Sequence, residues 1–243
     1  MAPQKKNNRQ NGSSVKKFYW ILGAIGVLGV VLIGLSMFRT RGAATDQPED
    51  LPPDAFASQQ ELVAAARGIP NGPDNAPVKL LVFSDYMCPA CKQFALNVEP
   101  GIRDQYIKNG QVQLVYYDFP LGGAHKYSFL ASRAGRCALD QNKFWEYHDL
   151  LFERQSAWSF ERDAPVPQFI EYARELGLNA QEFESCVRSE KHSDVVTANR
   201  ALGLNLGVNA TPTIYMNGRM VGDAWSSFDK MKPLIDRELG IGG

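Results

Sequence analysis

The stretch FSDYMCPACKQF, residues 83–94, decides how this chain is read. Two cysteines, Cys88 and Cys91, are separated only by Pro89 and Ala90. The apolar run VKLLVFSDY (78–86) leads into them and has the length of a strand buried on both faces. Behind them, ACKQFALNVEPGIRDQYIKNG (90–110) sets Phe94, Val98, Ile102 and Tyr106 at helical spacing. Pro100 is expected to kink that helix and Gly110 to end it. A cysteine pair at a strand-to-helix turn has a physical consequence. The helix N-terminus offers unpaired N–H groups and about half a positive charge. Both favour a thiolate at Cys88, the form that reacts in disulfide exchange. Pro89 suits the first helical turn because the donor it lacks would go unused there. Cys91, one turn on, is in reach of Cys88 and is expected to be the more buried of the two.

The rest of the chain sets the compartment. The formal net charge of zero hides an asymmetry. Residues 1–41 carry seven basic residues and no acids, which leaves 19 basic against 26 acidic residues in 42–243. A globular part this acidic is a poor nucleic-acid binder. Residues 18–38, FYWILGAIGVLGVVLIGLSMF, are 21 uncharged and largely apolar positions, enough for a helix of roughly 30 Å to cross a bilayer. Phe18, Tyr19 and Trp20 stand where an aromatic belt would lie. Five basic residues precede the run and two follow it, which places the tail 1–17 in the cytoplasm and the remainder outside. The run is longer than a signal peptide's apolar region of about 7–15 residues, and RTRGAA is a poor cleavage site, so the expectation is an uncleaved single-pass anchor. Residues 39–56, rich in Pro, Asp and small residues, read as a linker. Residues 57–243 then form an extracytoplasmic domain in an oxidising space, where disulfides persist.

Along that domain, Ser58 is expected to cap a short helix ending at Gly68. QVQLVYYDF (111–119) is a second strand, followed by a turn at Pro120 and Gly122–Gly123. A helical block follows, about 124–207, with a break near Asn142. TPTIYMNGRMVGD (211–223) reads as a hairpin turning at Asn217–Gly218. SSFDKMKPLIDREL (226–239) closes as a helix, expected to be interrupted at Pro233. Strand, helix, strand, helical block, hairpin, helix is the pattern of an α/β sheet carrying a helical insertion.

A lone CxxC also occurs as half of a zinc site. Zinc would need two more ligands, and Cys137, Cys186, His125, His148 and His192 form no second close pair in sequence. No metal and no cofactor is expected. His125 is expected to have a solvated ring at a helix start, although it could line the active-site rim. Trp145, Tyr147 and His148 read as packing residues on an amphipathic helix. Phe83, Phe94 and Phe144 read as core.

FSDYMCPACKQF, the helical insertion and the later NATPTIYMNG (209–218) together resemble the DsbA-like, thioredoxin-fold disulfide oxidoreductases, most of all their membrane-tethered bacterial branch. The resemblance spans roughly residues 75–240. It implies a thioredoxin fold with an inserted helical subdomain. It also implies that Cys88 is the nucleophile and Cys91 the resolving thiol. Pro212 would be cis and face the pair, and the Thr211 backbone would pair with an extended substrate strand. Pro89, Ala90 and Asp85 would be the immediate neighbours of the cysteines. Two departures stand out. Thioredoxin-like reductases and some DsbA-type oxidases carry a buried acid six residues before the first cysteine, where this chain has Val82. Many oxidases carry a histidine between the cysteines, where this chain has Ala90. Asp85, three residues before Cys88, either assists Cys91 or caps the helix start, and the local structural role is the expectation. Cys137 and Cys186, 49 positions apart on two predicted helices, are expected to form a structural disulfide, as in tethered relatives with an extra disulfide in the insertion. A second redox pair is the alternative, without the geometry of a CxxC at a helix start.

The function expected is that of a thiol-disulfide oxidoreductase, an oxidase introducing disulfides into exported proteins. An extracytoplasmic reductase or isomerase is the alternative, and a thioredoxin-fold binding module or chaperone is the non-enzymatic one. The resemblance implies exported thiol proteins as substrates and a quinone-linked membrane reoxidant of the DsbB or vitamin-K-epoxide-reductase type. A monomer is expected, because residues 57–75 are too short for a dimerisation domain.

Overall fold

The computed structural model describes residues 55–241. The tail 1–17, the anchor 18–38 and all but the last two residues of the linker 39–56 lie outside the described residues. Among the described residues, no helix is long and apolar enough to cross a membrane.

Five strands form one mixed sheet, β1 (Ile69–Asn71), β2 (Val78–Ser84), β3 (Val112–Asp118), β4 (Thr213–Met216) and β5 (Arg219–Met220), in the order β1-β3-β2-β4-β5. The central pair β2–β3 is parallel, with Leu80 opposite Leu114 and Val82 opposite Tyr116. β4 lies antiparallel on β2's other side, with Val82 opposite Ile214. The crossover from β2 to β3 is α2 (Pro89–Asn97), α3 (Glu99–Ile102) and a π-helical turn, Arg103–Ile107. The expected single kinked helix is therefore broken outright. The break falls at Val98, just ahead of Pro100, whose missing N–H and ring exclude it from a helix interior but not from a first turn.

Side chains alternate across the central strands, so the sheet divides two cores. Val78, Leu80, Val82, Leu114, Tyr116 and Ile214 join one cluster with Phe94, Ile102, Met231 and Ile235. Phe83, Tyr117 and Phe119 join the other, with Leu62 and Ala66 of α1 (Gln59–Ala66) and with Ala198 and Leu202 of α9 (Ser193–Asn205). Phe83 lies 5.0 Å from Tyr117, stacked, and edge-on to Phe119 at 6.3 Å. The backbone of α9 can approach these rings because residue 203 is glycine. A Cβ there would lie 2.5 Å from the Phe119 ring and 3.1 Å from Phe83. Both rings are buried and cannot swing away. A Gly203→Ala substitution is therefore expected to destabilise the domain by about 1–3 kcal/mol. The lowered midpoint of urea unfolding measures this, and an unchanged midpoint would show that the helix can shift outward at no cost.

The helical block runs between β3 and β4. It comprises α4 (Ser128–Leu139), α5 (Phe144–Glu153), α6 (Gln155–Trp158), α7 (Val166–Glu175), α8 (Ala180–Arg188) and α9. Asn142, at the break between α4 and α5, has φ +60°. Asn217 and Gly218 both have positive φ, 47° and 81°, at the β4–β5 hairpin turn. Ser58 caps α1, its hydroxyl accepting from the Glu61 N–H, and the helix ends at Arg67 rather than Gly68. α10 (Phe228–Glu238) runs through Pro233 without interruption. Met231 and Ile235, both fully buried, anchor the helix on either side of the one backbone N–H that the proline removes.

Candidate active site

Cys88 lies where β2 ends and α2 begins. Its φ/ψ of −76°/123° make it the N-cap residue, and Pro89 takes the first helical position. Its backbone N–H donates to the Asp85 carbonyl at 3.0 Å, closing a tight turn over Tyr86 and Met87. Cys88 keeps 8 % of its surface exposed and Cys91 none. Both are unbonded thiols. The Thr211–Pro212 peptide bond is cis, and the Cys88 thiol donates to the Thr211 carbonyl at 3.3 Å. The entry into β4 is thus laid directly against the first cysteine. The Thr211 hydroxyl is buried, with no hydrogen-bond partner among the described residues.

The two sulfurs differ in proton affinity. The Cys88 thiol is lowered to about 6, chiefly by the hydrogen bond from Cys91. Burial opposes that, while Thr211 and the backbone N–H groups of Cys91 and Ala90 add to it. Those two N–H groups belong to the first turn of α2, where helix geometry leaves donors unpaired. Cys91 moves the other way. Burial pushes its thiol well above the ordinary value, and the neighbouring Cys88 pushes it further. Its sulfur accepts from the Asp85 N–H at 3.4 Å. Val82 is 1 % exposed and apolar, so the strand brings no acid to Cys91 from that position.

Asp85 is fully buried. One carboxylate oxygen accepts from the Met87 N–H at 2.6 Å, and the other from the Leu121 N–H at 2.8 Å. That second oxygen also accepts from Nδ1 of His125 at 2.9 Å. The His125 ring is therefore not a solvated one at a helix start. Its side chain is 23 % exposed and is fixed on Asp85, which ties the turn after β3 to the turn after β2. The hydrogen bond to Asp85 raises the His125 pKa; burial opposes this, and the Asp85 and Cys88 charges reinforce it.

Further side-chain contacts fix the cysteine turn, and nothing in the sequence marked them for this. Gln155, buried at the start of α6, donates through Nε2 to the carbonyls of Tyr86 at 2.8 Å and Cys88 at 3.0 Å. Met87 accepts through sulfur from the Tyr127 N–H at 3.2 Å. The Tyr86 hydroxyl meets Nδ1 of His148 at 3.1 Å, so His148 is a packing residue that also holds a polar contact. Away from this turn, Cys137 of α4 and Cys186 of α8 are joined by a disulfide. Ligand-type atoms of Cys137, Cys186 and His192 lie within 4.8 Å of one another, but the two sulfurs are bonded to each other.

Comparison with known proteins agrees with this architecture. A family model described as Thioredoxin matches residues 65–237. The chain belongs to the thioredoxin family. Within that family it is similar to the probable disulfide bond formation protein D of Bacillus cereus, at 30 % identity over 189 residues, 76 % of this chain and 81 % of the relative. Oxidised BdbD from Bacillus subtilis superposes with a TM-score of 0.65 at 25 % identity, over 73 % of this chain and 95 % of that one. Reduced DsbA from Mycobacterium tuberculosis gives 0.59 at 25 % identity, over 71 % and 92 %. This thioredoxin-family member is a DsbA-like thiol-disulfide oxidoreductase.

Proposed function

We propose that the chain is an oxidase that introduces disulfides into exported proteins through Cys88 and Cys91. In the oxidised protein, a client thiolate attacks the Cys88 sulfur, the Cys88–Cys91 bond breaks, and Cys91 leaves and takes a proton. A second client thiolate then attacks the client sulfur of the mixed disulfide, and Cys88 leaves as a thiolate. Two client thiols lose two electrons, and the pair gains them. Thr211 and Pro212 border Cys88 where an extended client segment would lie. Pro89 and Ala90 keep the intervening turn small and uncharged.

The observation that carries the direction is the asymmetry of the two thiols. A Cys88 thiol at about 6 favours the reduced pair at pH 7 by about tenfold over a thiol at the ordinary 9.0. It also makes Cys88 the better leaving group in the second step. Cys91, buried and slow to ionise, returns only slowly to expel a bound client. Reoxidation would fall to a quinone-linked membrane protein of the DsbB or vitamin-K-epoxide-reductase type. The anchor at 18–38 would hold the monomeric domain beside it on the outer face of the cell membrane.

The equilibrium of the Cys88–Cys91 pair with glutathione, measured on the full-length chain with Cys137–Cys186 left oxidised, tests this. The expected reduction potential lies above the thioredoxin value of about −270 mV, by at least the roughly 30 mV that a tenfold preference for the reduced pair supplies. A potential near −270 mV would make the chain an extracytoplasmic reductase instead.

A further inference from the structure

Beyond the two cysteines, the described structure places one ionisable cluster against them. Asp85 is its centre. The Asp85 carbonyl accepts from the Cys88 N–H and its own N–H donates to the Cys91 sulfur. Its carboxylate is fully buried, and His125 is the ion-pairing partner on its Oδ2. A buried carboxylate this close to Cys88 would by itself oppose a thiolate there. Two backbone N–H groups and one imidazole offset it. Ala90, between the cysteines, carries no charge.

We propose that His125, pinned on Asp85, is a positioning residue that keeps positive charge at the rim of the Cys88–Cys91 pair and so sets how readily that pair accepts electrons. Reducing the bond takes two electrons. Near pH 7 it leaves one proton on Cys91 and a thiolate at Cys88. That new negative charge is what the imidazolium favours. When His125 loses its proton, the cation goes and the Asp85 carboxylate is unmasked, and both changes disfavour the thiolate. The Cys88 charge is itself one of the influences that raise the His125 pKa, which fits this coupling. The other charged groups of this rim come from neighbouring elements. Lys126 donates to the carbonyls of Glu161 and Arg162, and Arg200 of α9 donates to the Pro120 carbonyl. These cations border the same turn, so the test must isolate His125.

The inference rests on Cys88 and Cys91 being the redox pair, but not on the direction in which the pair works. Coupling between two sites is reciprocal, which gives a test on the unaltered protein. The chain has three histidines, so the His125 ring can be followed by NMR in the full-length, detergent-solubilised protein. Its proton affinity is expected to be about fivefold higher when the pair is reduced than when it is oxidised, at the lower end for coupled sites. His125→Asn should weaken the acidity of Cys88, read from thiolate absorbance, by the same factor. His125→Lys, which keeps a cation, should restore it. Equal His125 titrations in the two redox states would overturn the proposal, as would an Asn and a Lys variant that shift Cys88 alike. If the coupling is present while the glutathione equilibrium proves strongly reducing, the oxidase reading falls and the role of His125 stands.

Discussion

A Cys88→Ser chain is expected to oxidise a reduced client dithiol no faster than buffer alone, while a Cys91→Ser chain accumulates a covalent client adduct. The two outcomes follow from the separation of roles between the sulfurs. Cys88 stands at the helix start against Thr211, with its thiol at about 6, whereas Cys91 is sealed and its thiol is pushed up by burial. At pH 7 Cys88 is therefore mostly thiolate, whereas an ordinary cysteine is mostly protonated. In Cys91→Ser, the Cys88 thiolate attacks a client disulfide, one client sulfur leaves, and no internal thiol remains to resolve the bond. Non-reducing electrophoresis shows the adduct, and dithiothreitol should remove it. The rate of adduct formation carries a pH signature. In the unaltered chain the Cys88 thiolate is present above about pH 6 and is lost as the pH falls through that point. Removing the Cys91 thiol, its largest support, should move the fall in adduct rate to higher pH while leaving it below the ordinary 9.0. A Cys88→Ser chain that still oxidised its client would show that the oxidation does not run through Cys88. An adduct rate centred near pH 9.0 would mean that the helix start and Thr211 alone do not activate Cys88.

The second large effect concerns stability. Replacing Cys137 and Cys186 together by alanine is expected to cost about 4 kcal/mol, the chain-entropy value for a loop of their separation of 49 residues. Cys137 is 1 % exposed and sits on α4, while Cys186 lies on α8. The bond therefore joins two helices of the insertion that are otherwise held by packing around residues such as Phe169 and Phe183 and by the hydrogen bond from Arg133 to the Val187 carbonyl. In urea, with a slope of about 2 kcal/mol/M for a domain of this size, the midpoint should fall by about 2 M. Oxidase activity well below the new midpoint should be retained, since neither cysteine borders Cys88. A midpoint shift under about 0.5 M would mean that the unfolded ensemble keeps that loop nearly closed without the bond. Loss of activity in a still-folded variant would instead favour the reading of a second redox pair.

Much of the fold was legible because it is written in local signals. The run 78–86, the cysteine pair and the helical spacing behind it lie within one stretch, and Asn217–Gly218 marks its hairpin by φ preference alone. β1 was not legible. It has three residues, one of them Pro70, and only an edge position lets a strand contain a residue that donates no ladder hydrogen bond. The π-helical turn at 103–107 has no compositional mark either. At the site, the residues on and beside the CPAC turn could be named from sequence, but their partners could not. His125 meets Asp85 across 40 positions, and Gln155 reaches Cys88 across 67. Such pairings are made by tertiary packing, and a glutamine with no periodic role gives no sign of which carbonyls it will hold. The same limit explains the ring of His125, which reads as surface until the turn after β3 is folded onto the turn after β2.

The grip of Gln155 on the carbonyls of Tyr86 and Cys88 bears on how this protein could be engineered. The sheet and α2 have the outline of a transplantable minimal scaffold, with residues 128–205 as dispensable cargo. Trimming that cargo would strip the cysteine turn of the amide that holds two of its carbonyls and leave them facing the cut surface. A miniaturised version would keep its fold signature and lose the rigidity of the turn on which its chemistry depends, unless a replacement donor were designed in at the same place. The insertion is therefore part of what holds the cysteine turn.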